Sequence, residues 1–237
     1  MGRAVNFFSA AREPEPEVME TEGEAEAYSS AAAQAHLDAL DSSFASQVVS
    51  LGVETGLALD AGTGPGSIPL KIAQRCPRLH LVGVDRSPAM LRIARSHAAE
   101  KGLDGRVEFL LADASRLCFP DAIFDLVISN SLLHHLNDPV GTFNELARVT
   151  RLEGKVLVRD LRRPPRLTLA AHVAWHGRHY RGRMKQLYED SVRAAYTPPE
   201  IQMLIRKSRM STARVIPGHR THVTLVWENA TANLRTA

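Results

Sequence analysis

Leu57-Ala58-Leu59-Asp60 runs directly into Ala61-Gly62-Thr63-Gly64-Pro65-Gly66, and the fold class turns on these ten residues. The apolar run reads as a strand, the glycines as a tight turn, and the residues beyond Gly66 as the start of a helix. That order puts the glycine loop at the C-terminal end of a strand, where open α/β sheets bind ligands. Gly62 and Gly64 remove side chains that would hold the backbone away from a cofactor. Gly66 lets the helix pack close to the strand. Asp60 adds chemistry: a carboxylate there repels a pyrophosphate but suits a cationic or amine-bearing ligand. This argues against a dinucleotide-dependent dehydrogenase.

Outward from the loop, apolar runs recur at 57–59, 79–84, 107–111, 124–129 and 155–158. Helical stretches lie between them. Ser87-Pro88 and Asp138-Pro139 each pair a capping residue with Pro at the first helical position, and Thr197-Pro198-Pro199-Glu200 reads as a capping box. Strand and helix alternating five times predict an open parallel sheet with helices on both faces. The ending differs. Ala213–Ile216 and Val223–Trp227 are separated by only a short Pro-Gly connection, so they must pair antiparallel. Successive strand ends then carry Asp60, Asp85, Asp113 and Asn130. Asp85 can accept hydrogen bonds from both ribose hydroxyls, and Asp113 from an exocyclic amine of a base. Each alone reads as a cap or turn residue; four at one sheet edge read as a site.

The 237 residues are 44% hydrophobic and 23% charged, enough for a buried core without disulfide or metal staples. Cys76 and Cys118 have no metal spacing and read as small core residues. No apolar run reaches the ~18 residues of a membrane span. With no signal-like leader, a cytoplasmic setting is expected. The net charge of +3 conceals two opposed segments. Residues 13–26 hold seven acids and no base, and 1–27 read as an acidic arm able to act as a lid. The stretch from Arg159 to Lys185 holds eight bases and one acid. From Tyr28 to Leu51 the pattern is helical, with Leu37, Leu40, Phe44, Val48 and Leu51 on one face.

Over residues 28–161 the sequence resembles the class I S-adenosylmethionine-dependent methyltransferases, in particular the ubiquinone/menaquinone-biosynthesis branch. The markers are Leu59-Asp60-Ala61-Gly62-Thr63-Gly64-Pro65-Gly66, Gly83-Val84-Asp85-Arg86-Ser87-Pro88-Ala89-Met90, and Asp113 with Phe119-Pro120-Asp121. Further markers are the run from Phe124 through His134-His135-Leu136, and Glu145-Leu146-Ala147-Arg148-Val149. The family's Pro-Gly-Gly before the fifth strand is Leu152-Glu153-Gly154 here, a turn variant. The resemblance implies a doubly wound, Rossmann-like α/β sheet of seven strands, mainly parallel with an antiparallel last strand. It forms a single domain over 28–237, with an acceptor-side insertion at about 159–200.

S-adenosylmethionine is the implied cofactor and S-adenosylhomocysteine the product; no metal is expected. The loop at Gly62, Thr63, Gly64 and Gly66 would cradle the methionine part and ribose, with Asp60 near the methionine. Asp85 would hold the ribose hydroxyls. Arg86 and Met90 would lie beside the adenosine, Asp113 would take the adenine amine, and Ala114 and Asn130 complete the cradle. Tyr28 could fold over the donor.

An acceptor that must lose a proton needs a base, and His134 or His135 is placed for it, with one of the two facing the site. Their bland alternative is packing or capping. Arg159, Arg162, Arg163 and Arg166 could clamp an anionic acceptor or form a solvated loop that pairs with the acidic arm. Tyr180 is placed with the acceptor as well. His172, His176 and His179 share a helical face without a carboxylate or thiol among them, which suits a polar lining or a basic surface better than a metal.

The expected partner is therefore a small-molecule acceptor. An RNA or DNA methyltransferase is the rival reading, from the basic run. Against it, Asn130-Ser131-Leu132-Leu133 lacks the Pro-Pro-aromatic continuation that grips a flipped adenine. A donor-binding module without transfer activity is the third. The sequence leaves the oligomeric state and the methylated atom open.

Overall fold

The computed structural model describes residues 11–15, 31–216 and 220–230, with side chains of the first helix from residue 36. Tyr28 and most of the acidic arm lie outside the described residues. In chain order the elements are α1 (Ala31–Val49), β1 (Thr55–Ala61), α2 (Ser67–Arg75), β2 (Arg78–Asp85), α3 (Pro88–Glu100), β3 (Val107–Leu111) and β4 (Phe124–Asn130). There follow α4 (Pro139–Val149), β5 (Thr150–Leu161), α5 (Leu169–His176), α6 (Gly182–Ala194), α7 (Pro198–Arg206), β6 (Arg214–Ile216) and β7 (His222–Glu228).

The seven strands form one sheet in the order β3-β2-β1-β4-β5-β7-β6. β1 to β5 run parallel, and β7 is antiparallel to both β5 and β6. The alternating pleat feeds two cores, one on each face. Val84, Val127, Val156 and Leu225 meet Phe143, Leu146, Ile201 and Ile205 on one side. Leu81, Leu126, Ile128 and Leu157 meet Phe44, Val48, Leu70 and Leu91 on the other. No described helix is long and apolar enough to cross a membrane.

The helix starts follow the sequence signals. Ser87 Oγ accepts from Met90 N at 3.3 Å, Asp138 accepts from Gly141 N, and Thr197 with Glu200 forms a capping box. Three expectations need correction. Cys76 is buried as expected, but Cys118 is exposed, because it lies in the irregular segment between β3 and β4. The Leu152-Glu153-Gly154 turn is absorbed into a longer β5 that starts at Thr150. Glu153 takes φ +66 there, a left-handed conformation ordinarily left to glycine, while its N–H reaches Asn229 O at 2.8 Å. Leu37 and Leu40 line a cavity rather than the core.

Gly66, at φ +78, ends the loop after β1. A Cβ added there would stand 2.8 Å from Phe109 Cζ and 2.9 Å from Ala94 Cβ, so the close approach of helix and sheet requires its absence. Gly66→Val should cost about 2–5 kcal/mol, combining left-handed strain with overpacking. A urea titration should show the midpoint falling accordingly; an unchanged midpoint would mean that the loop relaxes freely.

Candidate functional site: two joined cavities at the sheet edge

The C-terminal ends of β1, β2 and β4 converge on an open cavity. Its lining includes Gly62, Thr63, Gly64, Asp85, Arg86, Met90, Asp113, Ala114 and Asn130. The loop after β1 is hung on the next strand: Gly62 N and Thr63 N both donate to Val84 O at 2.9 Å. Asp85 then ties two turns together, its Oδ2 accepting from Gly64 N at 2.8 Å and its Oδ1 from Ser87 N at 2.9 Å. A carboxylate oxygen has lone pairs to spare after one such bond.

Asp60 lies beneath this loop and is 1% exposed. Its Oδ2 accepts from Thr63 Oγ1 at 2.7 Å, while its Oδ1 has no partner. Burial pushes its pKa up to about 7, the Thr63 hydrogen bond opposes this, and the nearby charges of Asp85 and Asp41 add to it. Asp41, also on the cavity wall, is raised to about 6, chiefly by burial and against the pull of Arg159. An unpartnered buried carboxyl oxygen with two acids close by asks for positive charge. At the far end, Asp113 Oδ1 accepts from Ser115 N at 2.8 Å and Ser115 Oγ at 2.7 Å, and Arg86 Nε lies 3.9 Å from Asp113 Oδ2. Burial works against ionisation of Asp113, yet these contacts hold it below the ordinary carboxylate range.

A second cavity adjoins the first. The two share Ser131 and His135. Its walls are Leu37, Leu40, Leu161, Met184, Tyr180 and Tyr188, with imidazoles from α1, α5 and β7 set among them. Tyr180 is held by ring contacts with His36 and Tyr188. Its hydroxyl is pushed up to about 12 by burial and by the charge of Asp41.

His134 and His135 stand on a single 3-10 turn after β4. Their ring centroids are 4.0 Å apart, and both line the second cavity, whereas the adjacent pair was expected to present one ring. His134 Nδ1 bonds Asp160 Oδ1 at 2.6 Å, and Asp160 Oδ2 accepts from Leu133 N at 2.5 Å. Both side chains are 2% exposed. Burial alone would lower the His134 pKa; the charge and hydrogen bond of Asp160, joined by Glu15, raise it above the ordinary histidine value.

Sequence reasoning counted Asp160 only as the one acid in a basic run. Its pairing with His134 spans 26 residues and exists because β4 and β5 are neighbours. Glu15 was likewise read as one charge of an arm. Its carboxylate pairs with His135 and lies 3.9 Å from His134 Nε2. Glu15, His134 and His135 together hold three ligand-type atoms within 4.8 Å of one another.

The arginine clamp takes a different form. Arg159 is buried, with Nε on Asn130 Oδ1 at 2.7 Å, Nη2 on Leu40 O at 3.0 Å, and its guanidinium over the Phe44 ring. Arg163 is buried against Ala195 O and pairs with Glu200 at 2.6 Å. Neither Arg162 nor Arg163 lines the two cavities, because the chain leaving β5 turns them toward the segment before α7, as the Arg163 N to Tyr196 O bond shows. Of the three histidines at helical spacing, only His176 lines the second cavity. His179 stacks on His36, and the His172 and His176 ring centroids are 4.6 Å apart.

Residues 59–158 match the family described as a methyltransferase domain. A demethylmenaquinone methyltransferase of Thermus thermophilus is 39% identical over 46% of this chain and 48% of its own length. Another from Deinococcus radiodurans is 27% identical over 74% of this chain and 78% of its own. The chain thus spans about half the length of the first of these relatives. Among solved structures, a plantazolicin methyltransferase, in complex with a triazolic desmethylPZN analog and S-adenosylhomocysteine, superposes with a TM-score of 0.61 at 16% identity, over 79% of this chain and 82% of that one. Over residues 59–158 the sequence thus resembles a class I S-adenosylmethionine-dependent methyltransferase domain, and the fold is like that of a solved methyltransferase. Within that class the chain resembles the ubiquinone/menaquinone-biosynthesis branch.

Proposed function

We propose that this chain transfers a methyl group from S-adenosylmethionine to a small-molecule acceptor, with the donor in the first cavity and the acceptor in the second. The observation that carries the reading is the joining of the two cavities at His135 and Ser131, beside a buried acid with an unpartnered oxygen. The donor's positive charge answers Asp60, its ribose hydroxyls meet Asp85, and its adenine amine meets Asp113. When bound, the donor supplies a methyl group already activated by the sulfonium. The protein's share is to align the two partners and exclude water. His134, held by Asp160, takes the acceptor's proton through Nε2. Asp160 fixes the tautomer by accepting from Nδ1.

The second cavity is mostly apolar, with imidazole and phenol groups. Arg159 and Arg163, which suggested an anionic acceptor or nucleic acid, spend their hydrogen bonds inside the protein. This favours an uncharged, ring-bearing small molecule. The relatives named for demethylmenaquinone methylation support an acceptor of that kind. The free thiols accord with a reducing, cytoplasmic setting. Glu15, in the described part of the acidic arm, sits beside His135 on the acceptor side.

The test is an acceptor screen reading S-adenosylhomocysteine release, paired with donor titrations across pH. In the empty site Asp60 keeps its proton up to about pH 7. A cationic donor favours the carboxylate, so binding releases that proton. Affinity should therefore rise up to ~10-fold per pH unit toward neutrality and then level off. Asp60→Asn should bind more weakly with a flat profile. Donor binding without release against any acceptor would instead mark a binding module, and absence of donor binding would refute the reading altogether.

A further inference from the structure

The N-terminal segment enters the site at an unexpected point. Opposite charges favoured contact between the acidic arm and the arginines of 159–185. Residues 11–15 seat instead on the turn that carries the two histidines. Arg12 is the anchor. Its Nε donates to Ala194 O at 2.7 Å, its Nη2 to His134 O at 2.8 Å, and its guanidinium lies 4.3 Å from the Tyr196 ring centre. Glu13 N adds a bond to Arg193 O at 3.3 Å. The segment is thus clamped to the end of α6 and to the backbone of His134 itself.

Three residues beyond the anchor, the Glu15 side chain is 9% exposed. A carboxylate is costly to bury unless it is paired. Its partners are the imidazole of His135, that of His134 and the Ser191 hydroxyl. Burial alone would raise the Glu15 pKa, but these contacts outweigh it and hold the acid ionised.

We propose that Glu15 is a positioning residue of the methyl-transfer site, holding His135 at the junction of the two cavities and poising His134 for proton transfer. This inference rests on the reading of the two cavities as donor and acceptor sites. The residues form a continuous series: Asp160 on His134 Nδ1, the two imidazole rings tilted against each other at 4.0 Å, and Glu15 beside His135 Nδ1. Each histidine has its own carboxylate. The carboxylate of His134 comes from the sheet, and that of His135 comes from a segment about 120 residues earlier in the chain.

The consequence has a definite sign. The charged groups facing His134 are Asp160 from β5 and Glu15 and Arg12 from the N-terminal segment, and the ring of His135 packs beside it. His36, His176 and His222 line the same cavity from α1, α5 and β7, and Tyr180 and Tyr188 complete its titratable set. Glu15 and Asp160 both favour the imidazolium, while Arg12 opposes it. Without the Glu15 charge, His134 loses its proton at lower pH, and His135 loses its ion-pair partner.

The experiment uses the full chain labelled with nitrogen-15 at histidine, as wild type and as Glu15→Gln. Glutamine keeps the length and removes the charge. In the variant the His134 titration midpoint should fall by about one unit, and the His135 Nδ1 resonance should move as its anionic partner is removed. Donor affinity should stay within twofold, showing that the fold and the first cavity are intact. With any acceptor that the wild type methylates, kcat should drop about tenfold with KM for donor unchanged, and the acid limb of the pH–rate profile should move to lower pH. Glu15→Asp should recover part of each effect. A His134 midpoint and a His135 resonance unchanged by Glu15→Gln would overturn the proposal even if the enzyme methylates as expected. A wild type that binds no donor would instead defeat the underlying reading of the cavities, whatever the resonances show.

Discussion

Asp85→Ala should lower donor affinity by about 10²–10⁴-fold, the largest binding loss expected of any single change at the site. Two effects add. In the proposed donor site the carboxylate accepts both ribose hydroxyls, and hydrogen bonds to a charged group contribute about 1.5–3 kcal/mol each. It also holds Gly64 N and Ser87 N, so its removal loosens the glycine loop and the start of α3 together. Asp85→Asn retains one acceptor oxygen and should fall between alanine and wild type. Calorimetric titration with S-adenosylhomocysteine gives the affinity, and a thermal melt separates a loosened loop from global unfolding. If Asp85→Ala binds within threefold of wild type, the ribose assignment is wrong.

Asp160→Asn should lower turnover by about 10²–10⁴-fold, the range over which positioned acid–base groups act. The donor site shares no wall with Asp160, so donor affinity should change little. Asparagine offers a single acceptor oxygen where Asp160 now serves both Leu133 N and His134 Nδ1. With its anionic partner gone, the His134 pKa drops, and the acid limb of the rate profile moves to lower pH. The change also weakens the fold, since breaking a buried ionic pair costs about 3–5 kcal/mol.

That stability difference carries a pH signature. The raised His134 pKa means the pairing stabilises the fold fully below the ordinary histidine value of 6.5 and less as pH rises through the elevated one. The gap between wild type and Asp160→Asn in urea should therefore narrow on the alkaline side. His134→Asn is the cleaner catalytic probe. Its amide can still donate to Asp160 from near the Nδ1 position, while Nε2, the proposed base, is lost. Full turnover in His134→Asn would remove histidine from the mechanism.

The periodicity of apolar runs determined the sheet, the caps determined the helix starts, and the Asp60–Gly66 stretch determined the end of the sheet that binds. These are short-range signals. A strand must alternate, a helix must satisfy its first amides, and a loop approaching another backbone must shed its side chains. Asp60, Asp85, Asp113 and Asn130 were legible as a set because each occupies the same place at the end of a strand or just beyond it.

Partnership across the chain was decided by tertiary structure. Arg159 faces Asn130 because β4 and β5 pair with those two residues in register. Asp160, one residue further, meets His134 because that same pairing brings the end of β5 beside the turn after β4. Arg163 looked available for an anion, but the exit from β5 carries it under Ala195 and Glu200. Net charge pointed the acidic arm at the arginines, yet packing seated Glu15 on the histidines. Coulomb attraction between exposed charges is weak and screened in water. A buried carboxylate must instead find its partner at hydrogen-bonding distance, and only the folded chain determines which imidazole stands there.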